Sequence, residues 1–181
     1  MKKRVDLPEK KYEGYIFDLD GTLVDSMPLH YRAWREALAR AGAPDHVFRA
    51  DEFYSCGGKS ANDVVRFLNE RYGMHMDAES TAADKRRIYL EMLEKEGMQP
   101  IREVVEFVHS LGDAPKAIAT GSAMPGASRT LAAAGLSGLF DVILTPDEVE
   151  HGKPAPDMFL KAAELLGASP DPVSYTHLRA H

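Results

Sequence analysis

The chain has a single cysteine, Cys56, among its 181 residues. No intrachain disulfide can form and no cysteine cluster is present for zinc, a usage expected in a reducing cytoplasm. A basic excess is also lacking: 22 Lys and Arg stand against 28 Asp and Glu, for a formal charge of -6. The sequence therefore has no electrostatic footprint for nucleic acid or an acidic membrane. No apolar stretch approaches the length of a membrane span, and the basic start Met1-Lys2-Lys3-Arg4 leads into no apolar run of the secretory kind. Internal repeats and low-complexity segments are missing too. These absences leave the expectation of a soluble, cytoplasmic, globular protein whose partner is a small molecule. They carry no signal for an oligomeric state.

What is present is an alternation of short apolar runs and amphipathic segments, interrupted once. Gly14-Tyr15-Ile16-Phe17 reads as a buried strand ending in Asp18-Leu19-Asp20-Gly21. A helical block follows. Trp34, Leu38 and Ala41 recur at helical spacing within 28–41, and Val64, Phe67, Leu68 and Tyr72 share a face after Ser60, with Gly73 as a stop. A third helix spans about 77–95. From about Pro100 the alternation resumes. A helix through Val104 and Val108 precedes the strand Ala114–Ala119. A helix closed by Gly135 precedes the strand Phe140–Leu144, and a last helix runs from about Ala155 to Leu166. Strands alternating with helices imply an α/β fold, a Rossmann-like and mainly parallel sheet. Residues 1–27 and 96–173 are expected to form that core, and 28–95 an inserted all-helical cap.

Ligands of open parallel sheets bind beyond the carboxyl ends of the strands, where both Asp18 and Thr120 fall. Asp18 and Asp20, two residues apart, are placed to bind a divalent cation together, while a turn at Gly21 brings backbone amides toward an anion. Asp-x-Asp-Gly by itself is equally an ordinary turn. Thr120-Gly121-Ser122 is by itself a turn or a helix cap.

The longer string Asp18-Leu19-Asp20-Gly21-Thr22-Leu23-Val24-Asp25-Ser26 resembles the first motif of haloacid-dehalogenase-like phosphotransferases. Thr120 resembles their second motif, and Gly152-Lys153-Pro154-Ala155-Pro156-Asp157 their third. The segment Asp25–Trp34 resembles the entry to the cap in the helical-cap branch, which contains beta-phosphoglucomutase and fructose-1-phosphate phosphatase-like enzymes. The resemblance covers about 12–172.

It implies a magnesium-dependent phosphatase acting on small phosphorylated metabolites, with sugar phosphates favoured. Asp18 would be the nucleophile that becomes an aspartyl phosphate, and Asp20 the general acid and base. Thr120 with the amides of Gly121 and Ser122 would hold phosphate oxygens, and Lys153 would neutralise charge beside Asp18. Leu19, Gly21 and Thr22 would line the phosphate. Mg2+ would be held by the Asp18 carboxylate and the Asp20 main-chain carbonyl. His30, at the cap hinge, is either a proton-transfer or substrate-contacting residue or a helix-surface histidine. Lys59, in Gly57-Gly58-Lys59-Ser60, is either a contact for the distal part of the substrate or a solvated loop lysine. Met74, Met76, Met92 and Met98 read as core filler, and Lys85-Arg86-Arg87 as a solvated helix face. A phosphosugar mutase is the alternative activity. Mutases of the branch carry an Arg shortly after the loop Ser, whereas Ser60 is followed by Ala61-Asn62-Asp63.

The family's fourth motif, an acidic pair after another apolar strand, has no counterpart before the chain ends. Residues 174–181 are expected to be an aberrant tail, truncating the core and impairing activity, with His177 and His181 in a disordered terminus.

Overall fold

The computed structural model describes residues 12–168 and the backbone of Val173–Thr176. The chain divides into two compact units, Met1–Ser26 with Met98–His181, and Met27–Gly97.

The first unit is built on a four-stranded sheet in the order β3-β2-β1-β4. The strands are β1 (Gly14–Phe17), β2 (Lys116–Ala119), β3 (Val142–Leu144) and β4 (Val173–Thr176). All neighbouring pairs are parallel, with Ile16 opposite Ala117 and Ile118 opposite Ile143. β1 and β2 are buried along their whole length, as expected of strands covered on both faces. Alternation sends Ile16 to one face, where Ala117, Ala119 and Leu144 meet Met158, Ala162 and Ala163 of α7 (Asp157–Leu165). Tyr15 and Phe17 point the other way. Phe107 of α5 (Arg102–Ser110) contacts both rings edge-on, at 5.8 and 6.3 Å between centroids. α6 (Met124–Ala133) links β2 to β3 and buries Ala127 and Leu131. Phe17 is fully buried, so Phe17→Ala is expected to cost about 3–5 kcal/mol.

The expected tail requires a correction. Its first residues, through Thr176, continue β4 alongside β1, with Ile16 opposite Tyr175 and Phe17 opposite Thr176. Val-Ser-Tyr-Thr is rich in β-branched and aromatic residues, and the free edge of β1 supplies a hydrogen-bonding partner that sequence reading did not anticipate. Residues 177–181, with His177 and His181, lie outside the described residues.

The second unit contains four helices: α1 (Met27–Arg40), α2 (Ala50–Ser55), α3 (Ala61–Tyr72) and α4 (Ala78–Glu96). Trp34, Leu38, Val47, Phe48, Phe53, Val65, Leu68 and Met76 form its core. The Ser60 hydroxyl caps α3 by accepting from the Asp63 amide at 3.2 Å, and Gly73 ends that helix in the left-handed region at φ 62°. Asp77 caps α4 by accepting from the Ser80 amide at 2.7 Å. The sequence periodicity missed α2, a helix of six residues with one buried side chain, Phe53. No helix among the described residues is long and apolar enough to cross a membrane.

Candidate active site

β1 stops at Phe17 and the next residues fold into a tight turn. The Leu19 carbonyl accepts from the amides of Thr22, Leu23 and Val24, and the Gly21 amide donates to Val24 O at 2.9 Å. Gly21 adopts φ 75°, where a side chain would be strained. The turn anchors Leu19, which is fully buried, and leaves the flanking carboxylates at the strand's end. It also corrects an expectation. The amides of Gly21 and Thr22 are consumed inside the turn, because it must satisfy its own backbone, and are not offered to an anion.

Asp18 keeps 22% of its side chain exposed. Its Oδ1 lies 2.9 Å from Lys153 Nζ and accepts from the Leu19 amide at 2.9 Å. Burial pushes the Asp18 carboxyl above its ordinary value; Lys153 pulls it back in part, and the nearby Asp20 charge adds to the rise. Both donors converge on Oδ1.

Lys153 reaches Asp18 from the loop between β3 and α7, and its side chain is only 5% exposed. Its ammonium also donates to Ala119 O at 2.9 Å and lies 5.3 Å from the Phe159 ring centroid. The loop is cross-tied on both sides of this lysine. Glu148 accepts from the Thr145 amide and hydroxyl at 2.6 and 2.7 Å, and Asp157 accepts from the His151 amide at 3.3 Å.

Asp20 stands among hydroxyls. Ser26 Oγ donates to its Oδ1 at 2.6 Å, and Ser122 Oγ and Thr120 Oγ1 donate to its Oδ2 at 2.8 and 3.3 Å. Thr120 is fully buried, and its Oγ1 accepts from the Ser122 amide at 3.1 Å. The Ser122 amide, expected to hold an anion, is therefore turned toward Thr120 in a local turn. Asp18, Asp20, Thr120, Ser122 and Lys153 are thus brought together from three distant stretches of sequence. Ser26 was missed as a functional residue. It lies inside the first motif, but nothing in a sequence separates a hydroxyl that braces a carboxylate from one that caps a helix.

The second unit carries the other candidates. His30 is buried, stacked on Tyr89 at 4.0 Å between centroids, with Lys85 Nζ 2.8 Å from its Nδ1. Lys85 also lies over the Trp34 and Tyr89 rings at 5.6 and 5.4 Å. The helix-surface reading of His30 is excluded, and Lys85 is no part of a solvated face. Its four-residue spacing from the buried Thr81 and Tyr89 was the available signal. Lys59 is exposed and rests over Phe67 at 5.5 Å.

Among the described residues no three His, Cys, Asp or Glu side chains gather to hold a metal ion. The Asp18 carboxylate and the Asp20 carbonyl are nevertheless hard oxygen donors at a strand end. Mg2+ characteristically takes one or two carboxylates and fills its shell with water and phosphate oxygens, so the pair fits part of such a shell.

The family model of haloacid dehalogenase-like hydrolases matches residues 12–174. Fructose-1-phosphate phosphatase YqaB of Escherichia coli is 33% identical over 162 residues, covering 89% of this chain and 84% of its own. A beta-phosphoglucomutase of Mycobacterium bovis is 32% identical, covering 91% and 72%. Among solved structures, CbbY from Rhodobacter sphaeroides in complex with phosphate superposes with a TM-score of 0.76 at 22% identity, covering 91% of this chain and 77% of that one, a likeness of fold.

Proposed function

Because the chain belongs to the haloacid dehalogenase-like hydrolase family, we propose that it hydrolyses small phosphomonoesters, sugar phosphates foremost, through an aspartyl phosphate on Asp18. The observation that carries this reading is the division of labour between two carboxylates at one strand end. Asp18 is paired with a buried ammonium, whereas Asp20 is ringed by hydroxyls.

In the first half-reaction Asp18 Oδ2 attacks phosphorus, the ester P–O bond breaks, and Asp20 in its acid form gives the leaving alkoxide a proton. In the second, Asp20 as base takes a proton from water, whose oxygen attacks phosphorus. The P–O bond to Asp18 breaks and inorganic phosphate leaves. Lys153 holds Oδ1 and offsets the negative charge that builds between carboxylate and phosphoryl group. Thr120 and Ser122 keep Asp20 aimed. Mg2+, held by the Asp18 carboxylate and the Asp20 carbonyl, would supply charge neutralisation at the phosphoryl oxygens.

The similarity to a fructose-1-phosphate phosphatase supports a phosphorylated sugar as substrate, and His30 and Lys59 are the cap residues proposed to contact it. The mutase reading draws on the similarity to a beta-phosphoglucomutase. It is disfavoured by Ala61, which offers no cation for a second phosphate after Ser60.

The test is phosphate release from an aryl phosphate and a panel of sugar phosphates, with and without chelator, by the chain and by Asp18→Asn. Release that depends on magnesium and vanishes in the variant is expected; equal turnover by the variant would sink the mechanism. Activation by a sugar bisphosphate, with phosphate returned to the sugar, would favour the mutase.

A further inference from the structure

Glu52 is an acid in an unusual place. It belongs to α2, in the helical unit, yet its side chain is only 9% exposed. A carboxylate so enclosed is costly unless it is paired. Both of its partners lie at the far end of α3: Arg71 Nε is 2.7 Å from Oε1, and the Tyr72 hydroxyl donates to Oε2 at 2.8 Å. The Arg71 contact is close but off the N–H axis, so it is an ion pair and not an aligned hydrogen bond. One carboxylate thereby joins α2 to the last turn of α3, about 18 Å along the helix from its cap at Ser60.

Between those two elements lies the segment Cys56–Ser60, with its glycine pair. Its backbone is held by bonds to near neighbours: the Cys56 amide donates to Glu52 O and Phe53 O at 3.2 and 3.1 Å, the Gly57 amide to Tyr54 O at 3.3 Å and the Lys59 amide to Cys56 O at 3.1 Å. Gly58 sits at φ 89°. Such a segment keeps a defined shape only if its ends are fixed.

Its cation adds a second requirement. Lys59 and Arg71 lie over the same Phe67 ring, at 5.5 and 5.8 Å from the centroid. Two like charges on one ring repel, and Glu52 neutralises one of them.

We infer that Glu52 is the positioning residue of the Gly57–Ser60 loop: through Arg71 and Tyr72 it fixes the bracket that holds Lys59 on Phe67. The consequence for catalysis rests on the proposed role of Lys59 in binding the distal part of a sugar phosphate. Glu52 then sets substrate affinity without touching the substrate.

The test uses the full chain with Glu52→Gln, which keeps shape and removes charge, and Tyr72→Phe, which deletes a single hydroxyl and keeps the ring should the first variant fold poorly. Amide hydrogen exchange at 57–60 is expected to accelerate about tenfold in either variant, with α1 and α4 unchanged. An unchanged loop, or an equal rise throughout the helical unit, would overturn the inference. In turnover, Glu52→Gln is expected to raise KM for a hexose phosphate as far as Lys59→Ala does, the double variant being no worse, with kcat and the parameters for p-nitrophenyl phosphate unmoved. A KM unaffected by Glu52→Gln but raised by Lys59→Ala would also overturn it. Should the unsubstituted chain hydrolyse no sugar phosphate while the exchange responds as described, the proposed substrate class fails and the positioning role stands.

Discussion

Lys153 Nζ is equidistant from two oxygens, 2.9 Å from Asp18 Oδ1 and 2.9 Å from the Ala119 carbonyl, so a lysine from the β3–α7 loop locks the end of β2 to the end of β1. The contact is electrostatic and structural at once. It holds down the Asp18 carboxyl that burial otherwise drives up, and it engages one of the two carboxylate oxygens, Oδ1.

Lys153→Met should therefore act twice. Without the ammonium, the Asp18 carboxyl rises further above its ordinary 3.8, and the acid limb of kcat/KM moves to higher pH. Loss of charge neutralisation lowers kcat at the plateau by about 100-fold or more. The stability change has a definite sign. A carboxyl raised on folding binds its proton more tightly in the folded state, so stability falls as pH rises from 3.8 through the folded value. The variant should lose more stability than the parent between acid and neutral pH. Urea melts at pH 4 and pH 7, run without metal, measure it; parallel losses would refute the account.

Ser122→Ala and Ser26→Ala each remove one hydroxyl donor from the Asp20 carboxylate. At about 1 kcal/mol per hydrogen bond, each should lower kcat about fivefold, with KM little changed, because under the proposed mechanism the bonds aim the proton-transfer group and not the substrate. Steady-state kinetics on an aryl phosphate would show it. A rise in KM at constant kcat would move both serines from positioning to binding.

Much of this site was legible because its chemistry is local. Asp18, Asp20 and Thr120 stand at or just past the ends of apolar runs, and strand ends in a parallel sheet point to one edge, whereas Lys153 was legible from its Gly-Lys-Pro-x-Pro-Asp string. What was illegible is how the hydrogen bonds are distributed. The amides of Gly21, Thr22 and Ser122 were expected to face an anion but close turns instead, since a turn's internal satisfaction depends on dihedrals that residue type only biases. Lys85 was misread for a different reason. A charge run on a helix is ordinarily solvated, and it is the rings of Trp34 and Tyr89 together with the His30 Nδ1 that favour Lys85 against the fold. β4 was missed because pairing with β1 depends on a partner about 160 residues away in sequence, which no local pattern encodes.

The Lys85 contact to His30 makes a prediction about a proton. A lysine ammonium only donates, so His30 Nδ1 accepts and the hydrogen of the neutral ring sits on Nε2. Nitrogen NMR of the free chain should show Nδ1 unprotonated and Nε2 protonated near neutral pH. Lys85→Met should mix the tautomers; a protonated Nδ1 in the parent chain would contradict the geometry.

Asp77 offers a pH-dependent test in the helical unit. Its carboxylate accepts from the Ser80 amide at the start of α4, and that hydrogen bond holds the carboxyl below its ordinary 3.8. A group depressed on folding contributes stability that is present above the unfolded value and is lost as pH falls through the lower folded value. Asp77→Asn keeps a side-chain oxygen for the Ser80 amide but has no proton to gain. It also forfeits the attraction between a negative charge and the positive end of the 19-residue α4. At pH 7 the parent should therefore melt at a higher temperature than Asp77→Asn, and the gap should close as the pH is taken below 3.8. Asp77→Ala, which removes the acceptor altogether, should be the least stable of the three at pH 7 and remain below the Asn variant in acid. A gap between parent and Asn variant that is the same at pH 7 and in acid would mean that the cap works through its oxygen alone, with no contribution from charge.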